Sequence, residues 1–253
     1  MAGDFDPLAQ LLRAHSNLPG PRGNLELAGQ FADAVAVLAG GSAAAAAWRA
    51  ASTLAAVGPE AAPSGDPGEF LAFCGTVAAS GFAADPTLRP GVWEIICRAG
   101  EDERWRLREA AAQAIQRAIP ADREAALAVL GGWAQGGSWR LCRAAAAGVA
   151  DPPLLRDPLL AAAALSLHEV ILSRLRGAGD RRDPGFAVLR QGLGYTLSVV
   201  VAASPGPGFA LLRALARHRD RDLAWVLRAN LGKGRLARAH AREVEEVRAL
   251  LAP

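Results

Sequence analysis

The residues in this chain best suited to chemistry are basic and aromatic, and they recur. Residues 213–248 carry 10 Lys plus Arg against 5 acidic residues. Arg213, Arg217, Arg219 and Arg221 bunch around one turn, and Lys233, Arg235, Arg238 and Arg242 flank the last expected helix. Basic side chains gathered at the loops of one edge can follow a phosphate backbone; the competing reading is a solvated terminal cap. No aromatic residue is interleaved after Trp225, so stacking on single-stranded bases is not indicated. Upstream, three stretches share a Trp, a Leu two residues on and then an Arg: Gly100–Ala118, Gly136–Ala150 and His218–Leu231. Trp105, Trp139 and Trp225 at equivalent positions suit core packing. Glu109 lies three residues after Arg106, a spacing for ion pairing on a helix surface.

Other constellations fall short of a site. His168-Glu169 lacks the second His of a zinc motif, and His15, His218 and His240 are scattered, so no metal or cofactor is expected. Gly232-Lys233-Gly234-Arg235 lacks the upstream Gly and the preceding strand of a phosphate-binding loop. Gly192-Leu-Gly194 lies inside a helical pattern and suggests close packing. No G-x-S-x-G elbow or Ser/His/Asp set is present.

These residues must be positioned by helices. Half of the 253 residues are apolar, mostly Ala and Leu, and no long stretch alternates with period two. Gly and Pro punctuate nearly every joint. Helices are expected over Asp6 to about His15, Leu25–Leu38, Ala43–Val57, Phe70–Ala79, Val92–Ala99, Trp105–Ala118, Ala121–Ala134 and Trp139–Val149. Further helices are expected over Pro158–Leu175, Phe186–Ala203, Gly208–Arg217, Leu223–Leu231 and Ala237–Leu251. Asn24 is placed to cap the second, and Asp102 to cap the Trp105 helix. Asp66 and Asp85 are further cap candidates. In the Trp105 helix, Leu107, Ala111, Ala114 and Ile115 form one buried stripe, leaving Arg104, Arg106, Arg108 and Arg117 around the remaining surface.

The spacing repeats. Trp105 to Trp139 is 34 residues and Trp93 to Trp133 is 40, within the range of helical arrays, whose units stack because one pair cannot bury its own stripe. The expected fold is all-α, a right-handed α-solenoid of stacked antiparallel pairs forming a single domain over 1–253. Residues 1–91 are its N-terminal helices, 92–236 its clearest repeats and 237–253 a capping helix.

Charge is uneven: residues 1–99 carry 5 Arg against 9 acids, and 100–253 carry 23 basic against 16 acidic residues. A basic C-terminal part suits a polyanion. Lys233 is the only lysine, and a GC-rich genome would account for the Arg, Ala and Gly content without any function. Cys74, Cys97 and Cys142 are far apart and sit among apolar residues, as buried thiols of a reducing compartment do. The acidic N-terminus lacks a basic signal-peptide region, and the apolar runs are too short for a bilayer. A soluble, cytoplasmic protein is expected, with no membrane partner.

The repeat units resemble HEAT repeats (the ARM-type fold), through Asp102, Leu107-Arg108, Ala111-Ala112 and Ile115. More closely, residues 92–149 and 209–236 are similar to the HEAT-like DNA alkylation repair glycosylases. The likeness rests on Trp105 with an acid four residues on, on Trp139-Arg-Leu-Cys-Arg143-Ala-Ala, and on Trp225-Val-Leu-Arg228. Glu109 stands where that family has Asp, and an extra helix or two separates Trp139 from Trp225. The chain also has the general look of an uncharacterised bacterial HEAT-repeat family, through Asn17-Leu-Pro-Gly-Pro-Arg-Gly-Asn24 and Arg190-Gln-Gly-Leu-Gly-Tyr195; this implies no activity.

The glycosylase resemblance implies DNA as partner. It makes Glu109 the carboxylate that steadies positive charge on the sugar as a cationic N-alkylated purine leaves. Trp105 and Trp225 would face the nucleotide and Arg108 and Arg143 would contact phosphates, with Trp139, Arg228, Lys233 and Arg235 as further expected DNA-binding residues. Three functions follow: a DNA-binding repeat protein using a basic concave surface, an alkylpurine DNA glycosylase, and a protein-interaction scaffold.

Overall fold

Ala and Leu are strong helix formers, and punctuation by Gly and Pro cuts them into short helices. The computed structural model describes residues 6–251, among which there are fourteen α-helices and no strand. The protein is all-α. The chain divides into two compact units, Met1–Ala126 and Leu127–Pro253, and the boundary falls within α7 (Arg123–Gly136).

The first unit holds α1 (Asp6–Ala14), α2 (Leu25–Ala39), α3 (Ala44–Ala55), α4 (Glu69–Ala79), α5 (Arg89–Glu101) and α6 (Trp105–Ala118). Its centre is α4. Every residue of α4 is buried, and the helix packs against α2, α3 and α6. Gly75 permits this: a Cβ there would stand 2.2 Å from the Ala55 nitrogen and 2.6 Å from the Ala51 carbonyl oxygen. Backbone cannot yield as a flexible side chain can, so a larger residue at 75 would push α3 away.

Asn24 caps α2, its side chain accepting from the Leu27 N–H. The stripe of Leu107, Ala111, Ala114 and Ile115 is buried as expected. Two arginines expected at the surface of α6 are not there. Arg104 is buried, donating to the carbonyls of Ala62 and Val57 at 3.0 Å each. Arg106 is buried against Glu69. The segment before α4 covers Arg104, and the turn at Gly20 together with Glu69 covers Arg106; the spacing of one helix carries no trace of either cover. Asp102 has a different task as well. It ends α5, and its carboxylate takes the Arg104 N–H and guanidinium, at 2.8 and 2.6 Å, instead of capping α6. Asp66 and Asp85 accept from the N–H groups of Gly68 and Thr87, in the turns before α4 and α5.

The second unit holds α8 (Trp139–Val149), α9 (Pro158–Arg176), α10 (Pro184–Ala203), α11 (Pro205–Ala216), α12 (Arg221–Leu231), α13 (Gly234–Ala237) and α14 (Ala241–Leu250). The helix expected from Ala237 begins four residues later, as α14, and a separate short helix, α13, precedes it. The break lets Leu236 be buried before the turn and Val244 and Val247 after it. The central helix is α10, packed against α8, α9, α11, α12 and α13. At 19 and 20 residues, α9 and α10 are long and apolar enough to cross a membrane by length and composition alone. This corrects the expectation that every apolar run is too short. Within the unit, α10 buries Leu189, Leu193, Leu197 and Val199 to Val201 in the core. Cys74 and Cys142 are buried and Cys97 is half-buried, all three as free thiols. Burial raises the pKa of Cys74 and Cys97.

His168 joins α9 to α10 inside this core. Its Nδ1 lies 2.8 Å from the Ala164 carbonyl, which can only accept, so Nδ1 carries the proton. Nε2, 3.0 Å from Thr196 Oγ1, then accepts. Burial pushes the His168 pKa down to about 4. The unfolded chain protonates this residue near pH 6.5, and the folded chain holds out until about pH 4. Between those values the unfolded state binds more protons, so stability falls with falling pH, by about 3 kcal/mol in total. In urea denaturation followed by circular dichroism, this loss should shrink markedly in His168→Gln. An unchanged pH profile in the variant would assign the acid sensitivity elsewhere.

Candidate nucleic-acid interface

Charge divides with the units. Residues 1–126 carry 10 Arg against 15 acids, and residues 127–253 carry 18 Lys plus Arg against 10 acids. The net charges are therefore −5 and +8, which add to the chain's +3. The second unit is the one whose net charge would favour a polyanion.

On that unit, residues from three separate segments meet on α10. Gly192 and Gly194 are what let them approach. A Cβ on Gly194 would lie 2.9 Å from Cζ3 of Trp225, so the indole rests against the α10 backbone. A Cβ on Gly192 would lie 3.0 Å from Cγ of Arg143, so the Arg143 stem runs along the same helix. Successive helical residues turn by about 100°. Gln191 and Tyr195 therefore point between the Arg143 side and the Trp225 side, and both are exposed. Tyr195 is 51% exposed and Trp225 40%.

The cations lie on these rings. Arg235 on α13 has its guanidinium carbon 4.6 Å from the Tyr195 ring centre, and it donates to Tyr195 Oη at 2.9 Å. The Lys233 ammonium is 5.6 Å from the same ring. Arg190 lies 4.7 Å from the Trp225 ring. Arg190 is held from below by Asp222, which accepts from it at 2.8 Å and from Arg181 at 2.7 Å. Burial raises the Asp222 pKa, but hydrogen bonds from Arg190 and Arg181 outweigh burial, and the net shift is downward. Asp220 is lowered in the same way, against burial, by Arg181 and the N–H groups of Leu223 and Asp222. These carboxylates stay ionised well into acid, keeping Arg190 over Trp225.

Asn230 locks α12 to α10 beneath this face. It is fully buried, accepts from the Ser198 N–H at 2.7 Å and donates to the Leu193 carbonyl at 2.8 Å. Tyr195 enters the sequence reading only as the end of the Arg190–Tyr195 motif, with no role attached, and Asn230 carries no signal. Tyr195 supplies the aromatic interleaving among the cations that the linear order of residues after Trp225 lacks.

The remaining site residues are elsewhere. Trp139 is half-buried and packs edge-on against Phe186, its ring centre 5.1 Å from the Arg174 guanidinium. Arg228 donates to the Leu251 carbonyl, tying α12 to the chain after α14. In the first unit, Arg108 donates to the carbonyls of Asp102 and Glu103 at 2.8 Å each, bracing the start of α6. Trp105 is 45% exposed and shares a cavity of about 390 Å³ with Glu109, Arg106, Glu69, Phe70 and Phe73. Arg106 pairs with Glu69 at 3.2 Å, not with its expected helical neighbour Glu109. Among the described residues no group of three or more His, Cys, Asp or Glu side chains could hold a metal ion.

Comparison of the chain with known protein families, curated proteins and solved structures finds no match.

Proposed function

We propose that the protein binds DNA in the cytoplasm, through the face of the C-terminal unit built by Arg143, Tyr195, Trp225, Lys233 and Arg235. The observation that carries this reading is the convergence of side chains from α8, α12 and the start of α13 on one strip of α10, each bringing a cation or an aromatic ring. Arg and Lys supply the salt-dependent attraction to phosphates, and exposed rings flanked by cations suit contact with sugars and bases. The helices are read as a right-handed HEAT-like solenoid of stacked antiparallel pairs. Packing within each unit supports the stacking of helix pairs. In the first, α4 packs on α2 and α6, and α3–α4 and α5–α6 pair. In the second, α10 packs on α8 and α12, and α9–α10 and α11–α12 pair. Every second helix thus meets the next but one, as in stacked pairs.

Fluorescence anisotropy with a labelled duplex tests the reading. Affinity should fall linearly in log–log coordinates with salt. The double variant Lys233→Ala/Arg235→Ala should lower the slope by about 2, one for each phosphate contact removed. Absence of salt-dependent binding would leave the protein-interaction scaffold as the better reading.

A second reading, excision of cationic N-alkylated purines, is favoured by one observation: Glu109 lines the same cavity as the half-exposed Trp105. Release of such a base, abolished by Glu109→Gln, would establish it. Release that persists in Glu109→Gln would remove Glu109 from the chemistry.

A further inference from the structure

The cavity of the N-terminal unit has features that DNA binding by the other unit leaves unused. It lies among the turn around Leu18–Gly23, α4 and α6, and its walls include the rings of Phe70, Phe73 and Trp105. At about 390 Å³ it is within the size range of small-molecule sites. Two buried charged groups also line it. Glu69 has no exposed surface; its Oε2 accepts from the Gly65 N–H at 2.8 Å and from Arg106 at 3.2 Å. Arg106 also donates to the Gly20 carbonyl at 2.9 Å. The other carboxylate oxygen, Glu69 Oε1, and the Arg106 Nε–H are buried with no hydrogen-bond partner. Native proteins rarely leave such atoms unanswered, and charged ones least of all.

We propose that this cavity binds a small, flat aromatic lactam or primary amide. Such a group carries an N–H donor directly beside a C=O acceptor. The donor answers Glu69 Oε1, the acceptor answers Arg106 Nε, and the ring packs among Phe70, Phe73 and Trp105. Glu69 and Arg106 already neutralise one another, so an uncharged ligand adds no unpaired charge to the interior. The proposal does not depend on the DNA reading.

Isothermal titration calorimetry of the full chain tests it with 2-quinolinone, a bicyclic lactam, and with N-methyl-2-quinolinone, which keeps the shape and the carbonyl but lacks the donor. The expected result is one-to-one binding of 2-quinolinone, at least about tenfold weaker for the N-methyl compound, because a buried acceptor is then left unpaired. Trp105 is half-exposed and its ring centre lies 4.5 Å from the Arg106 guanidinium, so Trp105→Ala should keep the helical circular dichroism spectrum while weakening 2-quinolinone binding at least about tenfold. Lys233→Ala/Arg235→Ala should bind 2-quinolinone as the parent protein does, which separates this site from the DNA face. Equal affinity for the two quinolinones would reduce the cavity to an apolar hole and overturn the proposal. So would failure of either compound to bind, or binding indifferent to Trp105→Ala.

Discussion

Arg106→Ala is expected to cost about 3–5 kcal/mol of stability, the largest effect of any single substitution considered, because it strands the Glu69 carboxylate inside the N-terminal unit without its counter-charge. Glu69 is fully buried and opens α4, the helix that α2, α3 and α6 all pack against. Among the described residues its cationic partner is Arg106. The paired replacement Arg106→Met/Glu69→Met should recover most of the loss, because neither charge then has to be desolvated. Urea denaturation followed by circular dichroism measures both. A single-variant cost under about 1 kcal/mol, as for an exposed pair, would show that water reaches the carboxylate.

The second large effect lies beneath the proposed DNA face. Asn230→Leu should cost about 2–3 kcal/mol, because the buried Ser198 N–H loses its side-chain acceptor and the Leu193 carbonyl loses a donor. The added apolar surface does not offset this, since Asn230 also donates to the Val226 carbonyl within α12, and the amide fits three partners at once. Asn230→Asp retains an acceptor toward Ser198 but removes both donated bonds, so it should be destabilising as well. Full stability in Asn230→Leu would mean that α10 and α12 are held by apolar contacts alone.

Much of the fold was legible because it rests on local rules. Trp105–Ala118 and Trp139–Val149 begin and end at the expected residues, since Gly, Pro and Ser at their borders set the limits. Asn24 was legible as a cap because capping is a matter of three residues. Gly192-Leu-Gly194 was legible as a place of close packing; that Arg143 and Trp225 are what it packs was not, because those partners come from 49 and 31 residues away. The ion pair between Glu69 and Arg106 spans 37 residues and was hidden for the same reason. Helical periodicity placed Arg106 at the surface of its own helix, and only the segment folded over α6 makes that surface interior. Tyr195 was legible only as the end of the Arg190–Tyr195 motif, because a lone exposed aromatic in an apolar helix has no periodic signature; its meaning comes from Lys233 and Arg235, carried past it by α13.

Location, more than total charge, should govern DNA binding, and one comparison isolates it. Arg143→Ala/Lys233→Ala/Arg235→Ala removes three positive charges from the α10 strip. Arg213→Ala/Arg242→Ala/Arg248→Ala removes three from side chains paired with Glu245 and Glu246 on α14. Measured by anisotropy against the same duplex at one salt concentration, the first variant should lose about tenfold or more in affinity and the second should stay within about twofold of the parent chain. Equal losses in the two variants would mean that DNA responds only to the overall charge of the unit, and the strip between Arg143 and Trp225 would no longer be its binding face.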